Sequence, residues 1–134
     1  MVYAVIDTNV LVSSLLSRHP NAGTVVVMNY ILSGKVIPLY NDEILQEYSE
    51  VFHRPKFGFP TQLVDDILAA IKTAGLPLDR TPSQELLPDP KDLVFYEVAL
   101  SKEDSWLVTG NKRHFPKSPV VVTPTELLAI IAAI

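Results

Sequence analysis

Cysteine is absent from this chain of 134 residues, which excludes disulfides, zinc–thiolate centres and a thiol nucleophile. Histidine is scarce. His19, His53 and His114 stand far apart, with no pair at helical spacing, which argues against a histidine-built zinc centre. Any metal is therefore expected to be held by oxygen. No Gly-rich phosphate or dinucleotide loop occurs, and Ser13, Ser14 and Ser17 lack the Gly-x-Ser-x-Gly context of a serine hydrolase. Long apolar runs are missing too. The stretch Leu127–Ile134 is far too short to cross a bilayer, and the N-terminus has no basic region leading into an apolar one. A soluble, cytoplasmic protein without membrane contact is expected.

Positive charge is also in short supply. A net charge of −4 argues against strong non-specific binding of polyanions, because phosphate contacts need clustered Lys and Arg. A nucleic-acid substrate then requires metal ions, a local basic patch or a second subunit to offset the acid. Apolar residues, in contrast, are plentiful. With 48% hydrophobic and 19% charged residues the composition is that of a globular domain, and the length fits a single domain over residues 1–134 with a proper core.

Val2–Ile6 is apolar without alternation, as in a strand covered on both faces of a parallel sheet. Asp7-Thr8-Asn9 follows at its end, where open α/β sheets bind ligands, and Asn9–Leu16 then reads as a short helix. Asn21 is the expected cap of a second helix, Ala22–Leu32, ended by Ser33-Gly34. Lys35–Tyr40 is a strand in which Pro38 marks an edge or an irregularity. Asn41 or Asp42 caps a helix running to about Phe52. On it Ile44, Leu45, Tyr48, Val51 and Phe52 share one face; Glu47 lies at the edge of that face, with Glu43 and Glu50 turned away.

Arg54-Pro55-Lys56-Phe57-Gly58-Phe59 is the one place where basic and aromatic residues interleave. Thr61–Ala74 is an amphipathic helix stopped by Gly75 and Pro77, and Leu76–Thr81 a candidate short strand before a Pro-containing loop. Asp89-Pro90-Lys91-Asp92 opens a helix through about Ser101, with Asp92 on the stripe of Phe95, Tyr96 and Ala99. Ser105–Thr109 is a buried strand that delivers Gly110-Asn111-Lys112-Arg113-His114, and Val120–Val122 is a last short strand. Thr123-Pro124-Thr125-Glu126 is a capping box launching the closing helix Leu127–Ala133.

Asp7 and Asn111 thus fall just past two apolar strands, on one edge of a parallel sheet. Asp92 on an inward stripe must be paired, hydrogen-bonded or bound to a cation. Oxygens of this kind converging at one edge would make a hard-cation site for Mg²⁺ or Mn²⁺. Each acid also has a plainer explanation: Asp7-Thr8-Asn9 and Asp89 as helix caps, Asp92 as a first-turn acid, Glu47 as a solvated one. Lys112 and Arg113 are candidates for steering phosphate; His114 reads as a loop residue rather than a general base.

Val5-Ile6-Asp7-Thr8-Asn9-Val10-Leu11, Ile44-Leu45-Gln46-Glu47-Tyr48 with Arg54-Pro55-Lys56-Phe57, Asp89-Pro90-Lys91-Asp92, and Leu107-Val108-Thr109-Gly110-Asn111-Lys112-Arg113-His114-Phe115 together resemble the PIN-domain family. Within it, the likeness is to the toxin components of toxin–antitoxin pairs. The resemblance implies an α/β three-layer sandwich, with a central parallel sheet of about five strands and helices on both faces. It also implies a ribonuclease acting on single-stranded RNA with Mg²⁺ or Mn²⁺, a small antitoxin partner and a homodimer. The family's acids fall on Asp7, Glu47 and Asp92, with Asp89 close by, and its fourth acidic position on Asn111. Thr8, Asn9 and Thr109 become supporting polar groups, and Arg54, Lys56, Lys112 and Arg113 substrate contacts.

Asn111 keeps a neutral oxygen but removes one negative charge, which weakens a second metal position. A catalytically weak or inactive RNA- or protein-binding module is therefore the competing reading. A phosphatase or phosphoacceptor domain is disfavoured, because Asn9 and Leu11 stand where Asp-x-Asp-x-Thr needs Asp and Thr.

Overall fold

A computed structural model describes residues 1–134. Five strands form one all-parallel sheet: β1 (Val2–Ile6), β2 (Val36–Tyr40), β3 (Leu76–Pro77), β4 (Ser105–Val108) and β5 (Val121–Val122), in the spatial order β3-β2-β1-β4-β5. The central strand is apolar throughout, as burial on both faces demands: Ala4, Val5 and Ile6 are at most 1% exposed. Six helices cover the sheet: α1 (Thr8–Leu16), α2 (Gly23–Ser33), α3 (Asp42–Phe52), α4 (Thr61–Ala74), α5 (Leu93–Leu100) and α6 (Pro124–Ala132). Helix α5 packs across β2, β1 and β4, while α2 packs on β2 and against α1 and α6. The architecture is the α/β three-layer sandwich expected.

The chain runs from β1 outward to β2 and β3, then returns to place β4 on the other side of β1. This reversal leaves a crevice beyond the carboxyl ends of β1 and β4, the position at which doubly wound sheets bind ligands. The residue after β1 is Asp7 and the residue after β4 is Thr109.

Several local signals act as their chemistry dictates. Asn41 Oδ1 accepts the Ile44 N–H at 2.9 Å and starts α3, and Thr123 with Glu126 closes a reciprocal capping box on α6. Gly34 ends α2 with φ of +84°, a conformation that favours glycine. Gly75 is required for another reason: a Cβ there would stand 2.5 Å from the Ile71 carbonyl oxygen and 2.6 Å from that of Pro38. Pro38 lies where β2 has no outer neighbour, since pairing with β3 begins only at Leu39.

Other boundaries differ from expectation. The cap of α2 is Ala22 rather than Asn21, because the Ala22 N–H is turned back onto the His19 carbonyl, so the helix starts one residue later. The Asp89 helix is split into a 3₁₀ turn at Pro90–Asp92 and α5, since proline tightens the first turn. Strand β3 has two residues, not six. The chain after it is held as an extended strap largely through Glu97, which is 5% exposed and takes the Arg80 Nε–H at 2.7 Å and the Ser83 N–H at 2.7 Å.

Candidate functional site

Asp7 continues the sheet ladder for one step, its N–H donating to the Val108 carbonyl at 2.9 Å. It stands at the N-cap of α1 yet makes no side-chain cap bond. Its Oδ2 accepts instead from the Thr109 hydroxyl at 2.8 Å. The capping explanation therefore does not account for this acid. Burial, above all, raises its pKa, and the Thr109 hydrogen bond opposes the rise.

Helix α3 is pinned to the end of β1 by the buried Tyr48, whose hydroxyl donates to the Ile6 carbonyl. Burial holds that phenol protonated by pushing its pKa well above 10, so the donor persists. The anchor brings the preceding residue, Glu47, to the crevice, where its Oε2 accepts from the Thr8 hydroxyl at 2.9 Å. Oε1 of Glu47 carries no hydrogen bond from the protein.

Asp92 arrives from the other side at the head of α5. Its side chain is only 19% exposed, makes no cap bond, and has His114 Nδ1 at 3.7 Å from Oδ2, beyond hydrogen-bond length. Desolvation first, and then the charges of Asp7, Asp89 and Glu47, push its pKa up to about 6. Asp89 does act as a cap, its Oδ1 accepting the Lys91 N–H at 3.0 Å.

Asp7, Thr8, Glu47, Asp89 and Asp92 together line a cleft of about 480 Å³, joined by Asn9, Arg54, Lys91 and His114 and walled by Val12, Val51 and Phe57. Neither Arg54 nor Lys91 forms an ion pair, so both remain free to meet an anion. A smaller hollow of about 380 Å³, between Asn41 and Asp79, has no cationic side chain and offers an anion nothing.

The donor chemistry suits a hard divalent cation: carboxylate oxygens in a partly dry crevice, Asp92 with no donor of its own and destabilised as an anion. No three of these side chains converge closely enough in this conformation to enclose an ion. Their like charges oppose closer approach, since two carboxylates about 4 Å apart cost roughly 4 kcal/mol at the effective dielectric of a protein surface. The profile of the PIN domain matches residues 3–113. This chain belongs to the PIN-domain family. No curated protein and no solved structure matches it. PIN domains are generally associated with nuclease activity and divalent ions, and the matched span contains Asp7, Glu47, Asp92 and Asn111.

Within this PIN domain the other candidates separate. Thr109 is fully buried and orients Asp7, and Asn9 Oδ1 lies 3.5 Å from the Gly110 N–H, linking the loops after β1 and β4. Asn111 is outside the cleft lining: Oδ1 accepts the Arg113 N–H at 3.2 Å, so its amide is spent on its own turn. Lys112 is also outside, paired with Glu126 at 3.1 Å. Arg113 is exposed and outside the cleft lining, as is Lys56, whose ammonium sits over the Phe57 ring at 5.0 Å. Lys91 and His114 take the places that the sequence assigned to Lys56, Lys112 and Arg113. For Lys91 the position beside two acids was a usable signal.

Proposed function

We propose that residues 1–134, acting as one PIN domain, form a metal-dependent endoribonuclease for single-stranded RNA. Mg²⁺ or Mn²⁺ would be held by Asp7 and Asp92, with Glu47 bound directly or through water. The observation that carries this reading is Asp92, a carboxylate facing other carboxylates in a shielded cleft with no hydrogen-bond donor to satisfy it. A bound divalent cation supplies polarisation of the scissile phosphate and an acidified water, so no side-chain nucleophile is needed.

The chain's own groups do the rest. Thr109 holds Asp7 Oδ2, and Thr8 holds Glu47 Oε2 while leaving Oε1 without a hydrogen bond from the protein. Arg54 and Lys91 supply the positive charge that a backbone phosphate needs, offsetting locally the net charge of −4. Val12, Val51 and Phe57 add apolar surface to the lining, which lowers the local dielectric and strengthens each electrostatic contact inside.

The decisive experiment is cleavage of a synthetic single-stranded RNA by purified protein with Mg²⁺, Mn²⁺ or EDTA, beside Asp7→Asn. Cleavage that depends on the cation and is lost in the variant supports the reading, whereas equal cutting in EDTA defeats it. A toxin role, with a small antitoxin partner and a homodimer, rests on the motif likeness and on exposed Leu16, Leu32 and Leu63; the mass of the purified particle tests the dimer. The binding-module alternative draws on Asn111, an amide at the position where the motif likeness expects a fourth acid. RNA binding without turnover under any divalent ion would favour it.

A further inference from the structure

Asn111 and His114 form a pair whose proton positions follow from the hydrogen bonds around them. Asn111 Oδ1 accepts the Arg113 N–H at 3.2 Å, so the other terminal atom is the NH₂ group. That nitrogen lies 3.1 Å from His114 Nε2. An amide NH₂ has only hydrogens to offer, so Nε2 contributes its lone pair. A neutral imidazole then carries its proton on Nδ1. Nδ1 is the ring nitrogen that faces Asp92, at 3.7 Å from Oδ2, too far to spend the hydrogen on that carboxylate. His114 lines the cleft and Asn111 does not.

We propose that Asn111 is a positioning residue that locks His114 in the Nδ1–H tautomer, and that this N–H is a recognition donor for a backbone phosphate oxygen of a single-stranded nucleic acid. The phosphate role rests on the nuclease reading above; the tautomer does not. Asn111 thereby serves the site without lining it, by fixing which nitrogen of His114 carries the hydrogen. With Arg54 and Lys91 on the same cleft, the Nδ1–H gives the phosphate a third contact, a directional one that does not depend on net charge.

Two measurements test it. Nitrogen NMR of the imidazole rings reads the tautomer of the neutral form in the free protein. A protonated Nδ1 and bare Nε2 on His114, lost in Asn111→Ala, is the expected result; a protonated Nε2 in the unaltered protein overturns the first half. For the second half, fluorescence anisotropy follows a labelled single-stranded oligoribonucleotide in Ca²⁺. His114→Ala should weaken binding about tenfold, the loss of one hydrogen bond to a charged group, while His114→Asn, whose amide N–H₂ stands near the Nδ1 position, should stay within about threefold of the unaltered protein. His114→Gln, reaching further, should resemble the alanine variant. Equal binding by all variants overturns the phosphate role. If the unaltered protein binds no RNA, the nuclease reading and the phosphate role fall together, and the NMR result stands or falls by itself.

Discussion

The hydroxyl of Thr109 donates to Asp7 Oδ2 at 2.8 Å, joining positions 102 residues apart where the two central strands end side by side. Thr109 is fully buried and its oxygen also accepts the Asn111 N–H at 3.0 Å, so this single hydroxyl sets both an acid and the loop behind it. Thr109→Val keeps the shape and removes both bonds. Leaving the partners unsatisfied should cost about 1–3 kcal/mol of stability, and losing the support of Asp7, the proposed metal ligand, should lower Mn²⁺ affinity about 10- to 100-fold. Thr109→Ser should restore most of both. Titration calorimetry with Mn²⁺ and urea unfolding of the three proteins check this, and an unchanged Mn²⁺ affinity in the valine variant would remove Thr109 from the site.

Asp7 itself is costly to the fold, because burial disfavours its anion. Asp7→Asn should therefore leave the melting temperature of the metal-free protein equal or higher, while RNA cleavage falls by at least about 100-fold, beyond the range typical of an outer-shell partner. The separation of the two effects is the point of the measurement. A fall of several degrees in metal-free melting temperature would mean that the carboxylate is used structurally.

Asp92 links the site to pH. Its folded-state pKa of about 6 lies above the ordinary 3.8, so between these values the folded chain holds a proton that the unfolded chain has released. The proton favours the folded state. Stability contributed by Asp92 should rise as pH falls through about 6 and be complete below 3.8. Protonation also removes the charge that a cation would use, so divalent binding should weaken over the same interval. Melting curves of metal-free protein and of Asp92→Asn, from neutral pH down to about 4, read the difference. The gap between the two proteins should narrow with acidity, and a constant gap would contradict the shifted titration.

Much of this was legible in the sequence, for reasons particular to each element. β1 has no polar alternation, Thr123 and Glu126 announce their own capping box, and the face shared by Ile44, Tyr48 and Phe52 placed Glu47 at its edge; such patterns lie within a few residues of chain. The parallel sheet and the gathering of Asp7, Glu47 and Asp92 in one cleft followed from them. What was missed depends on partners far away in sequence. Lys112 looked free because Glu126, which takes its charge, lies 14 positions on and was already assigned to a cap. His114 has no periodicity to declare its direction, which Asn111 and the turn decide together. Strands β3 and β5 were both expected, but at two residues each they are too short for a pattern to fix their ends, and β3 stops four residues before the expected Thr81.

The strap after β3 is a further case, because nothing in its sequence says that a helix holds it. Glu97 on α5 takes Arg80 with one oxygen and the Ser83 N–H with the other, while its backbone carbonyl accepts from the Thr81 N–H at 3.0 Å. Arg80 reaches on to Glu43 of α3 at 2.9 Å, tying strap, α3 and α5 together just upstream of Asp89. Glu97→Gln can accept from only one of the two donors, so either Arg80 or Ser83 is left facing an amide NH₂. The expected loss is about 2–3 kcal/mol, that of a hydrogen bond to a charged group in a buried setting. Arg80→Ala should cost more than an isolated surface pair, usually below about 1 kcal/mol, but less than Glu97→Gln, since the Arg80 side chain is 32% exposed and water can replace its contacts. Urea unfolding ranks the two variants. Hydrogen exchange locates the damage: the amides of Thr81 and Ser83 should open in Glu97→Gln well before those of β1. Uniform acceleration across the sheet would show instead that Glu97 supports the whole domain and that the strap is not a separate unit.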